Sequence, residues 1–226
     1  MADMTRRQLL TRSAMTGGVL AGAALLMAVR PAVAASGVDL SFELHAIFFS
    51  KEAHQPKPLD PQAFVADPTA VAAVGPQGIH HVAEFHPALV AGPFDVGVFN
   101  ATGKPLGFTL ADWFAAKGNV RFSPAGSSTQ IDCHFTNLRA NGVYSIFENH
   151  FDQQPVGFTP LDGTGQGNNF TADPSGRGQI TLQAPRPLTH ANAVLLVYHS
   201  DNQSHGMSRG EIGVTAHHQL IARVPA

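Results

Sequence analysis

The sequence predicts an all-β fold: an antiparallel β-sandwich of the immunoglobulin-like or cupredoxin-like type, with one short helix near residues 109–117. Short segments with apolar residues at every second position recur from residue 39 onward, which is the period of a half-buried strand. Turn signals rich in Gly, Pro, Asn and Asp separate these segments, and only one segment carries both the start and the stop signals of a helix. Many short strands with a single helix are typical of a sandwich.

The first predicted strands lie on either side of a proline-rich stretch. Apolar and polar residues alternate over residues 39–48, with Phe42 and Phe48 on the inward face. A second alternating segment covers residues 94–99 and ends in an Asn-Ala-Thr-Gly turn. Between them, seven prolines are spread over residues 50–93, so we expect an irregular cover with a short helix at residues 61–66 and a short strand near residues 80–85.

The predicted helix has a complete start signal. Thr109 stands three residues before Asp112, which is the spacing of a capping box, and Leu110 and Trp113 share one face. Gly118 is placed to end this helix. We expect Trp113 to close one open end of the sheet.

The remaining chain predicts six strands at short spacing, so residues 36–226 are expected to form one sandwich domain. The six segments are residues 119–122, 130–138, 143–151, 178–183, 193–199 and 211–224.

The N-terminal segment is unlike the rest of the chain. Arg6 and Arg7 are adjacent, residues 13–29 carry no charge, and small residues follow at 32–35. This pattern resembles a twin-arginine (Tat) signal peptide, cleaved after about residue 35. The resemblance implies export of a folded protein to the periplasm or beyond, often because a cofactor is loaded first. The alternative is a membrane anchor, since an uncharged run of about 17 residues is near the lower limit for spanning a bilayer.

Composition narrows the possible partners. Only 13% of the residues are charged, the formal net charge is −2, and no basic cluster is present, which argues against nucleic acid and against anionic membranes after signal cleavage. Cys133 is the single cysteine, so no intramolecular disulfide can form, and we expect it to be a small core residue. Its position within a strand argues against a blue-copper site, which needs cysteine, histidine and methionine together on one loop.

Histidines are the main candidates for chemistry. All 12 follow residue 35, and the densest polar cluster lies near the C-terminus. A hairpin of the last two strands would place His199 opposite His217 or His218, with His205 in the loop between them. Imidazole ligands in this arrangement suit a copper or zinc ion. Strand parity puts His218 on the same face as the aliphatic residues, so the alternative to a metal ligand is a hydrogen-bonded core histidine. The same parity puts His217 on the opposite face, where the alternative is a solvated side chain.

A second candidate group lies at the end of the strand at residues 143–151. Glu148 and His150 point the same way and could form a ligand pair or an acid–base pair, with an exposed rim pair as the alternative. The five candidate metal ligands are therefore His150, His199, His205, His217 and His218.

These patterns favour an exported β-sandwich that binds a small ligand, and a copper or zinc ion above other ligands. The first alternative is a metal-dependent hydrolase or oxidoreductase, with Glu148 or Asp201 transferring the proton. The second is a structural or interaction module in which the histidines have no function. No nucleophile elbow or phosphate-binding loop is present.

Overall fold

The computed structural model describes residues 37–225, so the predicted signal peptide at residues 1–35 lies outside the described residues. The all-β prediction is confirmed for this range, and all pairings between the named strands are antiparallel. The elements in chain order are β1 (Val38–Ser41), β2 (Glu43–Leu44), α1 (His45–Glu52), β3 (Leu59–Ala66), β4 (Ala73–Val74), a 3₁₀ turn (Pro76–Gly78), β5 (His80–His81), β6 (Phe85–Leu89), β7 (Gly97–Phe99), β8 (Pro105–Thr109), α2 (Leu110–Phe114), β9 (Lys117–Ala125), β10 (Ser128–Thr136), β11 (Val143–His150), β12 (Gly157–Pro160), β13 (Asn169–Thr171), β14 (Gly178–Ala184), β15 (Asn192–His199) and β16 (Ala216–Arg223).

Two sheets form the sandwich. The first has the strand order β1-β9-β10-β14, and the second has the order β12-β11-β15-β16-β2, with β13 also paired to β11. The main core cluster takes side chains from both sheets, among them Ile131 and Cys133 from the first and Ile146 and Leu196 from the second. The prediction that Cys133 is a buried core residue is confirmed, and burial raises the pKa of its thiol.

The second sheet is buried on both faces. All eight residues of β15 are buried, and a separate apolar cluster on its outer face includes Leu195 and Val197, with Phe48 of α1 and Phe158 of β12 packed against it. A strand covered on both sides needs apolar residues at nearly every position, as in the sequence Ala-Val-Leu-Leu-Val-Tyr. The end of this strand is therefore a protected place for a polar side chain.

The proline-rich stretch contains more regular structure than expected. β3 belongs to a third sheet with the order β6-β3-β7-β8, so the helix predicted at residues 61–66 is wrong. The register of β3 against β6 shifts between Leu59 and Phe64. In that interval the Asp60 carboxylate accepts the backbone N–H groups of Gln62 and Ala63 at 2.9 and 3.2 Å. The Asp60 carboxylate thus takes the place of the backbone acceptors of a neighbouring strand. Pro61, which has no N–H to donate, can therefore lie within β3.

The strand predicted over residues 39–48 is correct only in its first half. β1 pairs with β9 in the first sheet, the chain crosses at Phe42, and β2 pairs with β16 in the second sheet. The chain then forms α1, a helix that was not predicted, and buries His45 and Ala46. Its position against the second sheet, rather than its local pattern, decides its conformation.

The predicted helix is confirmed as α2, but it is shorter than residues 109–117. Thr109 Oγ1 accepts from the Asp112 backbone at 3.2 Å, and Asp112 accepts from the Thr109 backbone at 3.0 Å. The helix ends at Phe114, and Gly118 lies in β9, where a Cβ would sit 2.5 Å from Phe135. Neither described helix is long and apolar enough to cross a membrane.

The capping box makes a stability prediction. Thr109→Ala removes the oxygen that accepts the Asp112 N–H, and we expect a loss of about 1 kcal/mol in the free energy of unfolding. Urea unfolding measures the loss. Thr109→Ser is the matched control because it keeps the hydroxyl; equal losses in the two variants would contradict the capping role.

Candidate metal centre

The C-terminal hairpin exists, but its register differs from the expected one. His199 pairs with Ala216, His217 pairs with Tyr198, and His218 pairs with Val197. Adjacent residues on a strand point to opposite faces, so the side chains of His199 and His217 diverge. His218 shares the face of His199 but lies opposite Val197, so the prediction that His217 or His218 stands directly opposite His199 is wrong.

A β-bulge changes the faces of β16. The register shifts between Leu196 and Val197, which leaves Gln219 as the extra residue. Leu220 packs in the core between the sheets, whereas His218 points to the outer face of the second sheet. The prediction that His218 and Leu220 share a face is wrong, because a bulge inverts the parity of the residues beyond it.

His217 is buried, not solvated as expected. Its Nδ1 lies 2.9 Å from the carbonyl oxygen of Gln62 and its Nε2 lies 3.2 Å from Ser200 Oγ. Burial lowers its pKa to about 4, so the ring is neutral near pH 7. Both nitrogens contact protein groups, so His217 is not part of the candidate metal centre.

His218 belongs to a buried polar network. Its Nε2 lies 3.0 Å from Arg209 Nη1, and its Nδ1 lies 3.0 Å from Gln62 Nε2 and 3.4 Å from His45 Nε2. Burial is the largest cause that holds its pKa well below the usual value, and the electrostatic influence of His45 and Arg209 lowers it further. This arrangement matches the alternative of a hydrogen-bonded core histidine.

Three of the sequence candidates do come together where β15 ends. His199, Asp201 and His205 each offer a ligand atom, and these atoms lie within 4.8 Å of one another. His199 is the last residue of β15, and the other two lie in the loop that leads to β16. Within residues 37–225 this is the one group of at least three His, Cys, Asp or Glu side chains with such spacing.

His199 has an unusual hydrogen-bond pattern. It is fully buried, its Nε2 lies 2.8 Å from Ser145 Oγ, and its Nδ1 has no hydrogen-bond partner within residues 37–225. Burial is the largest cause that lowers its pKa, to about 4, and the adjacent His205 lowers it further. A neutral imidazole with one nitrogen fixed and the other without a partner is the form that binds a metal ion.

Asp201 and His205 lie nearer to solvent. About a quarter of each side chain is exposed, at 27% and 28%, and Asp201 Oδ2 lies 3.0 Å from His205 Nε2. The rings of His199 and His205 are 5.2 Å apart between centroids. Gly165 of the neighbouring loop packs so closely that a Cβ there would overlap the backbone of Gly206, which holds the loop against the rest of the protein.

The predicted pair of Glu148 and His150 is also brought together, but in a different place and in the interior. His150 Nδ1 lies 3.5 Å from Glu148 Oε1, and both side chains are almost completely buried. Arg186 Nη2 lies 3.2 Å from Glu148 Oε1 and 3.0 Å from His150 Nδ1, and His150 Nε2 lies 2.9 Å from Thr159 Oγ1. The group is a closed ion-pair cluster, so the structure separates His150 from the candidate metal centre.

Sequence reasoning assigned no supporting role to the residues that contact these groups, namely His45, Gln62, Ser145, Arg186 and Arg209. Ser145 could be found only from the strand pairing: Val143 is the partner of His199, so Ser145 is its diagonal neighbour on the same face. Comparisons of the chain with known protein families, with characterised proteins and with solved structures found no match.

Proposed function

We propose that this protein binds a copper or zinc ion through His199, Asp201 and His205 and acts as an exported metal-binding protein. The observation that carries the proposal is the fully buried His199, whose Nδ1 has no hydrogen-bond partner among the described residues and which offers a ligand atom within 4.8 Å of those of Asp201 and His205. The resemblance of residues 1–35 to a twin-arginine signal supports export, to the periplasm or beyond.

The donor set decides the class of metal. Two imidazoles and one carboxylate suit zinc or copper(II), whereas calcium and magnesium prefer all-oxygen sites. In the proposed state Ser145 accepts the Nε2–H of His199, which directs the lone pair of Nδ1 to the ion. Ligand atoms around a zinc ion are about 3.3 Å apart at tetrahedral geometry and bond lengths of about 2.0 Å. Asp201 and His205, being partly exposed, can rotate inward to reach that spacing.

A metal-dependent enzyme is a second candidate, favoured by one observation. Three protein ligands at a partly exposed site leave a fourth position for water or substrate, as in catalytic zinc centres. Asp201 would then hold the ion instead of transferring the proton. Glu148, bound to Arg186, is not free for that transfer either.

Metal affinity of the purified protein tests the proposal. Zinc and copper(II) titrations against a chelator of known affinity give the dissociation constants. Because each ligand contributes directly, we expect His199→Gln and His205→Gln to weaken binding by about 100-fold or more, and Ser145→Ala by about tenfold.

The matched control is His134→Gln, since His134 is an exposed histidine on β10. It should bind metal as the unaltered protein does. Equal affinity of the unaltered protein, His199→Gln and His205→Gln would exclude this centre.

A further inference from the structure

A second candidate site is a cavity that is lined in part by Gln219, the extra residue of the β-bulge. This cavity of about 510 Å³ is bounded by β8, α2 and the segment after β10, with Phe108, Asp112, Trp113, Arg139 and Gln219 among its lining residues. This volume is within the range of pockets that hold small organic molecules. None of its lining residues belongs to the candidate metal centre. The Asp112 carboxylate accepts the N–H and Oγ1–H of Thr109 in the capping box.

Gln219 supplies a buried acceptor without a partner. The residue is 3% exposed, and its Nε2 donates to the carbonyl oxygen of Trp113 at 3.0 Å, which fixes the amide. Its Oε1 is buried and accepts no hydrogen bond within the described residues. Leaving such an atom without a partner costs free energy, and a bulge is a common device for turning a side chain toward a site. A ligand that donates a hydrogen bond would remove this cost.

Arg139 supplies a positive charge without a counter-ion. Its Nη1 donates to the carbonyl oxygen of Leu106 at 2.6 Å, and its guanidinium carbon lies 5.4 Å from the centre of the Phe108 ring. No carboxylate of the described residues lies within ion-pair distance of it. The remaining N–H groups of a half-buried guanidinium match a carboxylate.

The apolar part of the wall includes two stacked aromatic rings. Phe108 stacks on Trp113 with ring centroids 5.6 Å apart and planes 10° apart, and Trp113 is held by donating Nε1–H to Asp60 at 2.8 Å. Such a rigid wall suits the flat hydrocarbon part of a ligand.

We infer that this cavity binds a small organic carboxylate with an aromatic or apolar body and a hydroxyl or amino group. Arg139 binds the carboxylate, Gln219 Oε1 accepts the hydrogen bond, and Phe108 and Trp113 contact the body. The inference rests on these groups and is independent of metal binding.

The test uses 4-hydroxybenzoate as the probe and Trp113 as the reporter. Trp113 is the only tryptophan, so its indole N–H gives a single signal in a ¹H–¹⁵N NMR spectrum. We expect a saturable shift with 4-hydroxybenzoate. Benzoate lacks the donor, and 4-hydroxybenzyl alcohol lacks the carboxylate, so each should bind about tenfold more weakly, the effect of losing one hydrogen bond or ion pair.

Variants assign the two polar contacts. Arg139→Gln should weaken binding of 4-hydroxybenzoate by about 10- to 100-fold, since a charge-assisted contact is lost. Gln219→Leu should remove the preference for 4-hydroxybenzoate over benzoate. Arg121→Gln, at an exposed arginine of β9, is the control and should change nothing.

Two results would overturn the inference. One is the lack of a saturable shift up to about 5 mM probe, where a dissociation constant of about 1 mM would already fill about 80% of the sites. The other is equal binding of the three probes, which needs no variant and so does not depend on whether the variants fold.

Discussion

Lowering the pH from about 7.5 to about 5 is expected to remove about 5 kcal/mol of the free energy of unfolding through the three buried histidines outside the candidate metal centre, which are neutral in the fold. Burial lowers the pKa of His45 to about 3 and that of His217 to about 4, and it holds the pKa of His218 well below the usual value. A loss of this size is comparable to the whole stability of many small domains.

The sign of this change in stability follows from the pH at which the folded and unfolded states bind protons. The unfolded chain protonates these histidines near pH 6.5, and the fold does so only near pH 4 or below, so acid favours unfolding between these values. At pH 5 each histidine contributes a loss of about 2 kcal/mol. Asp60 opposes them, because burial raises its pKa to about 6 and its protonation stabilises the fold as the pH falls. This opposite effect reduces the total by about 1 kcal/mol.

Urea unfolding at several pH values, with a chelator present to exclude metal effects, measures this dependence. His217→Gln should reduce the slope of stability against pH below pH 6.5, since one group no longer titrates. His134→Gln, at an exposed position, should leave the slope unchanged. A free energy of unfolding that is the same at pH 7.5 and pH 5 would show that these histidines are not buried as described.

Arg186→Gln is expected to lower the free energy of unfolding by about 3 kcal/mol, because the Glu148 carboxylate stays buried without its partner. The loss falls at the lower end of the usual range because Arg186 is itself 56% exposed, so solvent already weakens its attraction to the buried carboxylate. The same substitution removes the contact of Arg186 with His150 Nδ1.

A double-mutant cycle isolates the charge effect. Adding Glu148→Gln to Arg186→Gln should recover part of the lost stability, since no charge is then buried. Lys51→Gln, which breaks the exposed pair with Glu43, is the control and should change stability by less than about 1 kcal/mol. If Arg186→Gln costs no more than Lys51→Gln, Glu148 does not depend on Arg186.

The sequence predicted those parts of the fold that depend on local pattern. Strands β9 to β11, the capping box at Thr109 and the burial of Cys133 follow from alternation, spacing and size. It did not predict α1, whose residues alternate like a strand but pack as a helix against the second sheet. It also missed β3, where the Asp60 carboxylate replaces strand hydrogen bonds.

The sequence correctly predicted that histidines line the candidate metal centre, but it predicted only some of the right residues. His199 and His205 were correctly placed near each other, because both lie at one end of a hairpin. His217 and His218 were included because both were expected opposite His199, whereas His217 lies on the other face and the ring nitrogens of His218 contact Gln62 and Arg209. No local pattern marks the bulge at Gln219, and this bulge directs Gln219 to the cavity beside Trp113.

The most direct measurement of the metal proposal is an anomalous difference map from a crystal of the zinc- or copper-loaded protein. We expect one strong peak about 2.0–2.2 Å from His199 Nδ1, in contact with Asp201 and His205. The peak should be lost in His199→Gln and kept in His134→Gln. A loaded crystal with no peak at His199, or with its peak at another group of residues, would contradict the proposed centre.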